Sequence, residues 1–137
     1  MTLRMSNIRF GFVVLFITAV TGGLALGGTF NQYSIKDGYH MLEMTRFWLR
    51  EGHSHGNFMA LFNLFVGIII NNLDLSDKLK KVGSYAAMTA IFLPIGLFLN
   101  GVFGADNVPP VGIIGILGVA AALIILIIGS FKTAQKS

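Results

Sequence analysis

Four apolar runs, each long enough to cross a lipid bilayer, govern what this chain can become. A spanning helix needs about 20 mainly apolar residues, because the hydrocarbon core is about 30 Å thick and a helix rises about 1.5 Å per residue. Residues 10–30, 53–73, 82–104 and 111–131 each reach that length without one Asp, Glu, Lys or Arg, and the second is the most polar, with Asn57 and Asn63 inside it. Inside a bilayer every backbone N–H and C=O must be satisfied within the protein, so such runs become helices. The expectation is an all-α integral membrane protein, a four-transmembrane-helix bundle forming one membrane domain over 1–137.

Composition agrees. Of 137 residues, 54% are hydrophobic and 12% charged, about half the charged share of a soluble domain. Cysteine is absent, which excludes disulfides, thiolate metal sites, iron–sulfur clusters and a cysteine nucleophile. The formal charge of +4 comes from ten Lys and Arg scattered at the ends of the apolar runs; they read as topology signals, with no nucleic-acid partner implied. Arg4, Arg9, Lys78, Lys80, Lys81, Lys132 and Lys136 lie at one end of the alternating runs, against Lys36, Arg46 and Arg50 at the other. That bias predicts a multi-pass membrane protein with both termini cytoplasmic. The first run is longer than a signal-peptide core and lacks a small-x-small cleavage site followed by a soluble domain, so it is expected to persist as a helix.

The long first connection holds a segment of mixed polarity over 38–50, Tyr39 and Trp48 included, that suits the membrane interface and could roof the outer end of the bundle. Gly23 and Gly27, and the stripe Gly115, Gly118 and Ala122, permit close helix approach in lipid. Pro94 is expected to kink the third helix, Asp or Ser in 74–77 to cap it, and Pro110 to start the fourth.

Chemistry is most concentrated where Arg50-Glu51-Gly52-His53-Ser54-His55-Gly56-Asn57 opens the second run. An ionisable group at a bilayer edge is costly without a task or partner, and imidazole ligates metals and haem near neutral pH. Two positions apart, His53 and His55 diverge by about 200° on a helix and cannot enter one pocket, whereas His53 and Asn57 share a face. A zinc site would need further ligands from His40, Glu43, Glu51 or Asp106. A single axial histidine to haem needs one imidazole and a large apolar cavity, for which Phe58, Met59, Phe62, Phe92 and Phe98 are available. The spacing equally suits two wetted interfacial histidines, and the aromatics equally suit lipid-facing or core positions.

The stretch from about Gly38 to Asn100 resembles the bacterial styrene oxide isomerases in the order amphipathic segment, Gly52-His53-Ser54, apolar helix, Asp77-Lys78, Gly83-Ser84 and Gly96, without a gap. The resemblance covers about half the chain and implies a homotrimer of four-helix subunits holding ferric haem b near subunit interfaces, with His53 as the axial ligand to iron. It also implies isomerisation of a small hydrophobic epoxide to an aldehyde, the iron acting as a Lewis acid and opening the ring towards a benzylic cation in a pocket that excludes water. In this register Met59, Ala90 and Phe98 stand where the family carries a pocket asparagine, an aspartate and a tyrosine. The residues expected at the site are Asn57, Phe98 and Asn100 for catalysis, and His53, His55, Met59 and Phe62 around the cofactor. Other classes fit the same chain: a non-catalytic haem or redox-sensing protein, a small respiratory accessory subunit, or a metal-free structural membrane protein.

Overall fold

A computed structural model describes the backbone of residues 3–28 and 40–135, and the side chains of 4–28 and 44–135. Among them there is no strand, and four helical stretches are long and apolar enough to cross a membrane: Arg4–Gly28, Met44–Asn72, Asp77–Phe103 and Gly112–Ala134. This is a multi-pass membrane architecture.

The first span consists of α1 (Leu3–Leu15), a π-helical turn (Phe16–Gly22) and α2 (Gly23–Gly28). The second is α3 (His40–Ile69), finished by a short 3-10 turn, Ile70–Asn72. Where the sequence suggests a separate interfacial segment over 38–50, the structure has one helix running from His40 through His53. No proline interrupts that stretch, and its glycines sit at close helix contacts. Thirty residues of helix are about 45 Å long, against a hydrocarbon core of about 30 Å, so α3 outreaches the apolar layer while staying helical.

The third span divides into α4 (Asp77–Thr89) and α5 (Phe92–Phe103), with a turn at Ala90 and Ile91. Ser76 caps α4, its hydroxyl accepting the Leu79 N–H at 3.4 Å. Pro94, in the first turn of α5, has no N–H for the Ala90 carbonyl; Leu93 N–H takes it instead at 3.1 Å. The expected kink is thus a local tightening at 90–93 in which the Ala90 carbonyl keeps a donor. The fourth span is α6 (Gly112–Ala134), after the turn containing Pro109 and Pro110.

Close approach decides the packing. A Cβ on Gly56 would overlap Thr18 Cγ2, one on Gly11 would lie 2.9 Å from the Ala60 carbonyl oxygen, and one on Gly67 would lie 2.9 Å from the Arg4 carbonyl oxygen, so the first and second spans meet nearly backbone to backbone. On a neighbouring face of α3, a Gly52 Cβ would sit 3.1 Å from Phe98 N, and a Gly101 Cβ 2.9 Å from Leu49 Cδ2. Gly115 and Gly118 of α6 are pressed against the Leu93 backbone and the Thr89 hydroxyl, as their stripe suggests. The other small pair is less tightly packed among the described residues, none of which lies within 4 Å of a Cβ on Gly27, while one on Gly23 meets His53 Cε1 at 3.7 Å.

Val66, Ile70, Ala87, Ala122 and Leu126 form the buried apolar cluster, with Phe62 against it. Beside it lies a polar knot joining three spans. Asn7 Nδ2 donates to Asn63 Oδ1 at 3.1 Å and to the Ser84 carbonyl at 3.2 Å, Ser84 Oγ donates to Asn7 Oδ1, and Asn63 Nδ2 donates to the Ala87 carbonyl at 2.8 Å. Asn7, Asn63 and Ser84 are fully buried, and their bonds compensate the cost of placing them there.

Candidate functional site

α1 with its π turn, and α5, pack on neighbouring faces of α3, and between them lies a cleft of about 500 Å³, within the ~300–1,000 Å³ of small-molecule and cofactor sites. Val14, Ile17 and Ala25 form one wall and Ile91, Ile95, Phe98 and Leu99 the other, with Gly52 and His53 of α3 between them. Apart from His53, the side-chain polar groups of its lining are the Thr18 and Thr21 hydroxyls. Both turn back into their own helix, Thr18 towards the Val14 carbonyl and Thr21 towards that of Ile17.

Two bonds hold the histidine and a third ties its partners together. His53 Nδ1 stands 2.7 Å from the Thr18 carbonyl oxygen, Asn57 Nδ2 stands 3.3 Å from His53 Nε2, and Thr18 Oγ1 donates to Asn57 Oδ1 at 2.8 Å. A carbonyl can only accept, so Nδ1 carries the proton; in the neutral ring Nε2 then presents its lone pair, which the Asn57 amide faces. The network thereby fixes both the tautomer and the amide orientation. The π turn supplies the carbonyl and also the room: a Cβ on Gly22 would lie 3.0 Å from His53 Nδ1. Isolated π turns are rare and concentrate at functional sites.

His55 is directed elsewhere, as its offset from His53 requires. Its Nδ1 donates to the Glu51 carbonyl at 2.9 Å and lies 3.6 Å from the Glu51 carboxylate, which also lies 3.8 Å from Arg50 Nε. Of the residues expected at the site, His53 and Phe98 line the cleft and Asn57 reaches it through the His53 ring; His55, Met59, Phe62 and Asn100 are not part of its lining. Met59 is buried, with its carbonyl accepting from Asn63; Phe62 packs on the apolar cluster; the Asn100 carbonyl accepts the Gly104 N–H near the end of α5. Ala90 is fully buried outside the lining. Among the described residues no three His, Asp or Glu come together in a metal-holding group; the side chains of His40 and Glu43 lie outside them.

Sequence reasoning missed Thr18, Gly22 and the roles of Gly52 and Gly56. The two glycines bracket His53 at a four-residue spacing, a small-xxx-small signal that was available. The Thr18 contact carries no local signal, since it joins residues 35 apart. No family model, curated protein or solved structure matches the chain.

Proposed function

We propose that the protein is a membrane haem b protein of the styrene oxide isomerase type, with His53 Nε2 as the axial ligand to iron. One observation carries the reading: His53 lines an apolar cleft of cofactor size, its imidazole donates Nδ1–H to a backbone carbonyl, and its other nitrogen meets the Asn57 amide at 3.3 Å. Metal-bound histidines characteristically donate their second ring N–H to a carbonyl or carboxylate, which fixes ring orientation and raises ligand basicity. With no metal-holding cluster of His, Asp and Glu among the described residues, the site suits a group that brings its own four ligands and takes one from the protein.

Ferric haem would supply a Lewis acid able to polarise an epoxide oxygen with no net redox change. The chain's own residues would do the rest. Thr18 holds His53, while Ile91, Ile95, Phe98 and Val14 exclude the water that would divert a ring-opened epoxide to a diol. The cleft opens between two spans, so a small hydrophobic substrate would enter from the lipid bilayer. We further propose a homotrimer in a bacterial-type inner membrane with both termini cytoplasmic. The Lys and Arg bias supports the orientation, and the small pair Gly23 and Gly27, loosely packed among the described residues, supports close association of copies.

A second reading, a non-catalytic haem or redox-sensing protein, draws support from Phe98, whose ring brings no hydroxyl to the cleft wall. The visible spectrum of detergent-purified protein separates the readings. The isomerase reading expects a five-coordinate ferric spectrum, a six-coordinate low-spin one favours the second, and absence of a Soret band leaves a metal-free structural protein.

A further inference from the structure

A ring nitrogen with one lone pair can serve one partner at a time, and in this structure the partner of His53 Nε2 is the Asn57 amide at 3.3 Å. We propose that Asn57 is a gate on the haem site: its amide covers Nε2 and must turn away before the histidine ligates, so Asn57 sets the affinity of the site. The inference rests on the haem reading above for the identity of the ligand, and on the Thr18, His53 and Asn57 geometry for the gate.

Thr18 makes such a gate workable. Its hydroxyl has one proton and two acceptors in reach, Asn57 Oδ1 at 2.8 Å and the Val14 carbonyl at 2.9 Å. With the gate closed the proton serves Asn57 and holds the amide against Nε2; with the gate open it serves Val14 O. Neither position leaves the hydroxyl unsatisfied, so opening costs little at Thr18. The Thr18 carbonyl keeps Nδ1 in both positions, and the imidazole therefore stays aimed while its cover moves. Asn57 lies one helical turn from His53, so after opening its amide remains within a few ångströms of whatever the histidine holds.

The test uses haem-free, detergent-solubilised full chain carrying 15N-histidine, as wild type, Asn57→Leu and Thr18→Val. Leucine keeps the volume and removes the amide; valine keeps the carbonyl that holds His53 and removes the hydroxyl that holds the amide. Ferric haem titrated against each is expected to bind Asn57→Leu about fivefold more tightly than wild type, the ratio one ordinary hydrogen bond supports, and Thr18→Val more tightly by a smaller factor. The His53 Nε2 resonance is expected to shift towards that of an uncovered lone pair in Asn57→Leu, with Nδ1 unchanged. Equal or weaker haem binding by both variants, with wild type binding, overturns the gate. If wild type takes up no haem, the haem reading falls separately and the resonance decides: a shift at Nε2 upholds the cover, and an unmoved Nε2 overturns it. Should Asn57→Leu fail to fold, Thr18→Val alone carries both readouts.

Discussion

Asn63 sits fully buried inside a membrane span, and its amide is satisfied by residues from two other spans. Replacing it with leucine leaves Asn7 Nδ2 without its 3.1 Å acceptor and the Ala87 carbonyl without its 2.8 Å donor. Asn63→Leu is therefore expected to destabilise the fold by ~1–3 kcal/mol, read as a lower midpoint of unfolding in denaturing detergent; a midpoint equal to wild type would mean that the knot contributes nothing. The sequence displays Asn63 as an oddity in an apolar run but not its partners, because Asn7 precedes the first apolar run, Ser84 lies in the third, and only tertiary packing joins them. His53 was legible for a different reason. Helical geometry alone separates it from His55, while its Thr18 partner depends on how two spans lie together. At Phe98, in the cleft wall, a phenol would add a donor to an apolar surface. Phe98→Tyr is expected to speed conversion of an aryl epoxide to its aldehyde by ferric protein, a donor aimed at developing charge being worth ~1–3 kcal/mol. Haem-replete protein that forms no aldehyde with either side chain would remove the isomerase reading.

Helices in lipid associate through shape, so glycines report on the elements. Gly56 admits the Thr18 side chain, whereas a Cβ on Gly27 meets none of the described residues within 4 Å. Gly56→Ala is expected to cost ~1–3 kcal/mol through overpacking; Gly27→Ala in detergent-dispersed single subunits is expected to be neutral or to stabilise by up to ~1 kcal/mol, because alanine is the better helix former. Comparable thermal midpoints for the two variants would contradict the assigned packing. Four spans were legible because length and uncharged composition are enough to mark a bilayer crossing. Their internal breaks were legible only where a residue enforces them. Pro94 announces the tightening at 90–93, but nothing local in Phe16–Gly22 announces a π turn; its wider ring is accommodated by the packing of Thr18 and Gly22 against His53. The continuity of α3 from His40 was hidden for the converse reason, since mixed polarity marks an interface without saying whether the helix stops there.

As a whole, the chain presents a cleft walled by two spans, with Gly23 and Gly27 loosely packed beside it among the described residues. Closing such a cleft around a macrocycle by a second copy agrees with the proposed trimer, and native mass spectrometry is expected to find three subunits with haem; a monomer that retains haem would contradict that arrangement. Because the chain has no cysteine, single cysteines at Asn107 and Gln135 give a clean topology test in which an impermeant thiol reagent added outside intact cells should label the first and spare the second. The central claim is that His53 alone among the described histidines holds the cofactor. Pyridine haemochrome assay of purified His53→Ala and His55→Ala measures it most directly: the account predicts haem lost from the His53 variant and kept by the His55 variant, and equal haem in wild type and His53→Ala would contradict it.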